Sequence, residues 1–364
     1  MIIDQLYQIE LDVSNKCNAQ CPQCVRNYYG SYTWPSLPLI DLDINILKKS
    51  IADSTWANLH HVRLCGTYGD PCMHKDLIEL VTWIKSVSPA KITINTNGGI
   101  RSAAWWRQLA GILGPDDVVV FGLDGLEDTN HLYRVNVDYK KVIKNLTAFN
   151  QAGGNSVWQF LVFKHNEHQV DLARETAISL GCKEFAYKRT SRFINKSHQI
   201  TNNTPVLDLE GNVRYLIEPP TNPLYTNEGY DKLTSIIKFY GDYDQYLKKV
   251  KVDCFAKRVQ YVNITAEGNV FPCGWLADRM YGFETESHKD HNTMMSIINS
   301  IGGKEQINIH YTALEDIING PWFNAIEDSW QDNSIERCAN QCSENNNLIS
   351  IANSGQFKSL SDVK

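Results

Sequence analysis

The chain has 364 residues, of which 43% are hydrophobic and 21% charged, with ten cysteines and a formal net charge of −6. This length predicts two domains, or one large barrel with an appendage, in a soluble globular protein. The acidic balance argues against nucleic acid as a partner, and no apolar run is long enough to span a membrane.

The N-terminus, MIIDQLYQIELDV, lacks the basic region, apolar core and cleavage site of a signal peptide. A cytoplasmic location follows as the expectation, with cysteines acting as thiolate metal ligands rather than as disulfides. YQIELDV predicts a first strand, and the loop after it carries Cys17, Cys21 and Cys24 in a C-x3-C-x2-C run. A helix, INILKKSIAD, comes next. HHVRLCG and DLIELVTWIKSV predict the second strand and helix, KITINTN and AAWWRQLAGIL the third, DVVVFGL and YKKVIKNLTAFNQAG the fourth. SVWQFLVF is the fifth strand, followed by a helix opened by Asn166 and Glu167 and closed by Gly181, and KEFAYK is the sixth. Strands alternating with helices imply a parallel sheet with helices outside it, and loops at the strand C-termini that build the active site.

From about 190 to 250 the repeat breaks into a segment rich in Asn, Thr and Pro that reads as a connection. A small unit follows, with a hairpin over VQYVNITAEGNVFPCGW turning at Gly268 and a helix over ALEDIINGPWFNAIEDSW. Four more cysteines gather there: Cys254, Cys273, Cys338 and Cys342. The residues from about 350 predict a polar, frayed tail.

Three thiolates as close as Cys17, Cys21 and Cys24 can grip three corners of a cubane 4Fe–4S cluster and leave the fourth iron without a protein ligand. Structural zinc wants a fourth ligand nearby, and a two-cluster ferredoxin would carry C-x2-C-x2-C-x3-C-P. The second set of four cysteines, in two halves, suits either a 4Fe–4S cluster or a structural zinc.

The triplet and its place after a first strand resemble the radical S-adenosylmethionine (SAM) enzymes. The resemblance implies an α/β fold: a partial (β/α)6 TIM-like barrel with a small C-terminal α+β auxiliary-cluster domain. It divides the chain into a radical SAM partial barrel (1–190), a connecting segment (191–250), a twitch/SPASM-like auxiliary domain (251–350) and a tail (351–364). In that family the open iron chelates SAM, and one electron from the cluster cleaves it to a 5′-deoxyadenosyl radical. Gly69 and Asp70, in GTYGDP, resemble the family's Gly-Gly-Glu-Pro-like motif, with Tyr68 in place of one glycine; the alternative is a turn with a capping acid. Thr96 and Asn97, in INTNGG, resemble its Ser/Thr-Asn-Gly strand end, or are simply an Asn-Gly turn. FGLDGLEDTNHLYR resembles an S-x-D-G…H-x-x-x-R pattern with Gly122 where serine is usual. There Asp124 would approach SAM, and Arg134 would take the SAM carboxylate or form an ordinary salt bridge. Val162 and Asn166 resemble the adenine-pocket segment, Asn166 also being a good helix N-cap. Gln23 occupies the position before the third cysteine, where an aromatic residue often packs on adenine.

The four later cysteines are similar to a twitch domain holding one auxiliary 4Fe–4S cluster, whose role would be electron transfer. Cys72 is a candidate hydrogen-atom donor, although buried unreactive cysteine is the commoner case; Cys65 and Cys182 read as small buried hydrophobes. The activity implied is reductive cleavage of SAM and hydrogen-atom abstraction, with a flavodoxin- or ferredoxin-like electron donor. The triplet's early position leaves no room for a preceding peptide-recognition domain, which points to a small molecule such as a sugar or amino sugar. The alternatives are a peptide- or protein-modifying maturase and a non-catalytic iron–sulfur or zinc scaffold.

Overall fold

The computed structural model describes residues 5–195, 199–281, 283 and 288–343; the predicted tail lies outside them. All six predicted strands are present: β1 (Gln8–Asp12), β2 (His61–Cys65), β3 (Lys91–Thr96), β4 (Val118–Gly122), β5 (Ser156–Val162) and β6 (Glu184–Arg189). Two more, β7 (Tyr261–Ile264) and β8 (Val270–Phe271), form the predicted C-terminal hairpin. The chain folds into two compact units, one of Met1–Lys16, Pro35–Lys91 and Thr234–Ile349, the other built from Cys17–Trp34 and Ile92–Leu233.

In the first unit β1 pairs in parallel with β2 on one side and β7 on the other, and β8 runs antiparallel to β7. The strand that opens the C-terminal hairpin therefore shares a sheet with the first strand of the chain. Helix α1 (Ile44–Ser50) starts at Asp43, whose carboxylate accepts from the N–H groups of Asn45 and Ile46 at 2.8 and 3.2 Å. Helix α2 (Leu77–Val87) buries Leu77, Leu80, Val81 and Ile84, the i, i+3, i+4, i+7 stripe of an amphipathic helix.

In the second unit β3 to β6 pair in sequence order, all parallel. β5 alternates buried and half-buried side chains along its length, the period-2 pattern of a strand. Helices α3 (Ala103–Ile112) and α4 (Tyr139–Gln151) are capped by Ser102 and Asp138. Between strands and helices Trp106, Phe121 and Phe149 pack together, with ring centroids 5.0 to 6.0 Å apart. Gly153 and Gly181, at φ +88° and +78°, follow α4 and helix α5 (Val170–Ser179) where the sequence places stop signals.

Two regions differ from expectation. The segment read as a plain connection holds an antiparallel hairpin, Thr204–Leu207 with Val213–Ile217, whose turn is tied by Asn212 N–H donating to Asp208 Oδ1 at 2.7 Å. It also contributes the helix Tyr243–Lys249, capped by Asp242. The single helix expected over residues 313–330 is two, Leu314–Ile318 and Pro321–Asp328. Gly320 breaks the first, and Pro321 begins the second at the one position where its missing N–H costs nothing. No helix among the described residues is long and apolar enough to cross a membrane.

Candidate metal centres

Cys17, Cys21 and Cys24 lie together on the loop that opens the second unit. Backbone carbonyls of this loop are gathered by two side chains that sequence reasoning missed. Arg26, 3% exposed, donates from Nη1 to the carbonyls of Cys17 and Ala19 at 3.4 and 3.3 Å, and Asn27 Nδ2 donates to Cys21 O at 3.3 Å. Their signal was present, since Cys-Val-Arg-Asn puts both just past the third cysteine. The loop is also held by Gln20 N–H, which donates to Val135 O at 3.0 Å.

Donors point at the sulfurs themselves. Ala19 N–H and Asn97 Nδ2 approach Cys17 Sγ at 3.4 and 3.6 Å, and Arg134 Nη1 approaches Cys21 Sγ at 3.8 Å. Burial pushes the Cys21 thiol pKa up while the Arg134 guanidinium works against it. Such donors stabilise thiolate charge and tune an iron–sulfur cluster, so the residues present fit one.

Of the predicted SAM-contacting residues of this unit, Asn97 and Arg134 reach cysteine sulfurs, and Asp124 and Asn166 are joined to Arg134. Asn97 also donates to Asn18 Oδ1 at 2.8 Å, joining the end of β3 to the cysteine loop, while its Oδ1 accepts from Gly99 N–H at 2.8 Å. Thr96 Oγ1 accepts from Gly98 N–H at 3.0 Å, so the Asn-Gly turn is there as well. Asp124, 1% exposed, pairs with Arg134 Nε at 2.6 Å and accepts from Leu161 N–H at 2.6 Å. Arg134 is thus engaged by Asp124 and Cys21, the salt-bridge alternative; although burial pulls its pKa down, both partners hold it above the ordinary guanidine value. Gly122 explains its departure from the serine of the family pattern, because a side chain there would run into the Arg134 guanidinium.

Asn166 stands at the N-cap of the 3-10 helix Glu167–Gln169, yet its side chain makes no capping bond. Its Nδ2 donates to the carbonyls of Asp124 and Leu161 at 2.8 and 3.0 Å, and its Oδ1 accepts from Phe163 N–H at 2.7 Å. The expected cap role gives way to a buried staple, since three nearby backbone groups would otherwise be unpaired. Val162 ends β5 with no exposure. Gln23 Nε2 donates to Thr204 Oγ1 at 2.9 Å and to Arg192 O at 3.2 Å, and Arg192 in turn donates to Tyr133 Oη.

In the first unit Gly69 and Asp70 form the turn after β2. Gly69 lies so close to the Ser14 carbonyl that no side chain fits, and Asp70 N–H donates to Lys16 O at 2.8 Å. The turn is therefore pinned to the residues that lead into Cys17. The Asp70 carboxylate accepts from Cys72 N–H at 2.9 Å, capping the 3-10 helix Pro71–Met73. Cys72 is 0% exposed. Cys182 is buried as expected, whereas Cys65 is half-buried.

The four later cysteines also come together. Cys254 and Cys273 are the N-cap residues of the short helices Phe255–Val259 and Gly274–Ala277. Cys338 lies on the helix Glu336–Gln341 with Cys342 one turn on, and Cys342 N–H donates to Cys338 O at 2.8 Å. Asp253 N–H donates to Cys342 O at 2.6 Å, bringing the first and last cysteines side by side. All four line one pocket, walled by Pro272, Trp275, Leu276, Ile326 and Trp330. The Cys254 thiol pKa is raised by its hydrogen bond to Cys342 and by burial, and burial pushes Cys273 up to about 12. An all-sulfur donor set around a cavity fits a group bound as thiolates. Among the described residues no three His, Cys, Asp or Glu side chains converge as they would around a single metal ion.

Residues 11–175 match the radical SAM superfamily. They form a radical SAM domain. No curated protein sequence matches the chain. Among solved structures it is similar to SuiB of Streptococcus suis bound to S-adenosylmethionine, with 13% identity and a TM-score of 0.51 over 92% of this chain and 72% of that one. SuiB bound to the precursor peptide SuiA gives 14% identity and a TM-score of 0.51, covering 92% and 71%. A tagged anSMEcpe with bound AdoMet gives 14% identity and a TM-score of 0.50, covering 96% and 90%. These likenesses are of fold, and they extend beyond the radical SAM domain into the C-terminal part of the chain. The α/β class expected from the sequence is the class observed, and the radical SAM domain implies a 4Fe–4S cluster and SAM.

Proposed function

We propose that the chain is a SPASM/twitch-type radical SAM enzyme that reductively cleaves SAM and abstracts a hydrogen atom from a small polar molecule. The observation that carries this reading is the cysteine loop, three thiols on one loop with side-chain donors aimed at two of their sulfurs. Cys17, Cys21 and Cys24 would hold three irons of a 4Fe–4S cluster. When bound, that cluster supplies the single electron that cleaves SAM to a 5′-deoxyadenosyl radical. Asn97 and Arg134 set the charge at the sulfurs, and Asp124 fixes the guanidinium. Asp70, Thr96, Asn97, Val162 and Asn166 are the residues we assign to the SAM site, most of them through the backbone they position. Cys254, Cys273, Cys338 and Cys342 would hold an auxiliary 4Fe–4S cluster, and their apolar surroundings suit an electron-transfer role. A flavodoxin- or ferredoxin-like protein is the electron donor we assign, in a reducing cytoplasm. A peptide substrate is the second reading, favoured by the likeness to SuiB bound to its precursor peptide SuiA.

The test is 5′-deoxyadenosine formation by the anaerobically reconstituted, chemically reduced protein. The wild type should form it from SAM, and Cys21→Ser should abolish it. An iron-loaded wild type that forms none would sink the proposal.

A further inference from the structure

The chain carries a net charge of −6, yet residues 248–258 hold five cations, Lys248, Lys249, Lys251, Lys257 and Arg258, against one acid, Asp253. All five cations are exposed. Arg258 pairs with Asp253 at 3.2 Å and Lys257 with Glu327 at 2.5 Å, whereas Lys248, Lys249 and Lys251 have no ion-pair partner among the described residues. Exposed pairs contribute little to stability and neighbouring like charges repel, so folding alone does not account for the run.

The first unit fastens this run to the four-cysteine pocket. Lys248 and Lys249 end the helix Tyr243–Lys249, whose Tyr243 Oη donates to Asn340 Oδ1 at 2.9 Å and whose Tyr246 Oη meets Ser343 Oγ at 2.6 Å. Those two partners flank Cys342, and Asn340 lies on the helix that carries Cys338. Asn333 Nδ2 donates to the carbonyls of Leu247 and Val250 at 2.7 and 2.9 Å, fixing the end of the lysine helix. From there the chain passes through Lys251 to Cys254, and Lys257 and Arg258 stand on the short helix that Cys254 opens. Cys254, Cys338 and Cys342 are only half-buried. Phe255 is 43% exposed, its ring centroid 6.3 Å from that of Trp275, which walls the pocket. An exposed aromatic side chain with cations on both sides of it in the chain has the composition of a docking surface, an apolar anchor inside a charged rim. Such a rim steers an acidic partner into place. A nucleic acid or an anionic membrane would use the cations alone, whereas the half-buried cysteines set among them fit a redox protein.

We infer that this patch is the docking surface of an acidic one-electron carrier, which seats against Phe255 with the lysines around it. The inference rests on the reading that a flavodoxin- or ferredoxin-like protein serves the enzyme, and it names where on the chain that protein sits.

The test is calorimetric titration of the reconstituted protein with an acidic flavodoxin and with an acidic ferredoxin. The wild type should bind at least one of them, less tightly as salt rises from about 0.01 to 0.15 M and the screening length shortens from about 30 to 8 Å. Lys248→Glu, Lys249→Glu and Lys251→Glu together should weaken that binding tenfold or more. The same change at Lys140, Lys141 and Lys144, exposed on α4, alters the net charge equally and should leave binding nearly unchanged. Lys→Gln at the first three positions decides the matter if the Glu variant does not fold. Binding unaffected by the first set, or weakened equally by both, overturns the docking inference and leaves the carrier reading standing. A wild type that binds neither carrier, including one that binds vesicles of anionic phospholipid instead, overturns both.

Discussion

Arg134 joins the buried Asp124 carboxylate to the Cys21 sulfur. Replacing it with Met would leave Asp124 charged and unpaired at 1% exposure, a loss of about 3–5 kcal/mol by the usual cost of breaking a buried pair. Urea denaturation should show that loss. Arg134→Lys should recover only part of it, since an ammonium lacks the planar fork that reaches both partners; a loss below about 1 kcal/mol for Met would contradict the assignment. Asp12 gives a pH signature. Its folded pKa of about 7 lies above the ordinary 3.8, through burial first and the Glu10 charge second. The folded state therefore binds this proton more tightly, so its stabilisation is complete below about pH 4 and is lost as pH rises through about 7. Glu10, raised by burial, acts in the same sense, while His61, held down at about 4, acts oppositely. Arg63, Cys65 and Tyr261 face Glu10 and Asp12 from the neighbouring strands. Subtracting the melting profile of Asp12→Asn from that of the wild type isolates Asp12; the difference should fall between about pH 4 and 7, by on the order of 4 kcal/mol. A flat difference would contradict it. The sequence announced the cysteines by spacing alone. It could not announce that Arg134 would meet Asp124, or that Gly122 clears the space for it, because both depend on how the segment from Gly122 to Arg134 folds back on itself.

The elements that read most clearly were those whose pattern is local. Six strands and the helices between them showed their periods, and Gly153 and Gly181 fell at helix ends with the positive φ such stops require. The hairpin at 204–217 was overlooked although VLDLEGNVRYLI alternates around a glycine, because the surrounding Asn and Pro outweighed it. The polar face of β1 was equally legible in QIELD, where alternate residues are Gln8, Glu10 and Asp12. What no pattern could give is the parallel pairing of β7 with β1, a contact between distant parts of the chain. Loss of the auxiliary centre tests this scale. Cys338→Ala removes one of four thiols lining the cavity and should lower bound iron by about half, leaving the cysteine-loop cluster and some SAM cleavage in place. Iron content unchanged in that variant would argue that the cavity holds no cluster.

Across the whole molecule, two sets of cysteines lie in two different compact units, three in one and four in the other. Each set is gathered by its own local structure, the first by Arg26, Asn27 and Asn97, the second by helix starts and one helix turn. They should therefore load independently, and a variant of one set should spare the other. The measurement that tests this account most directly is iron, sulfide and zinc per chain after anaerobic reconstitution. Two four-iron clusters predict about eight irons, a matching amount of sulfide and no zinc. Folded protein that takes up no iron would contradict the account at its centre.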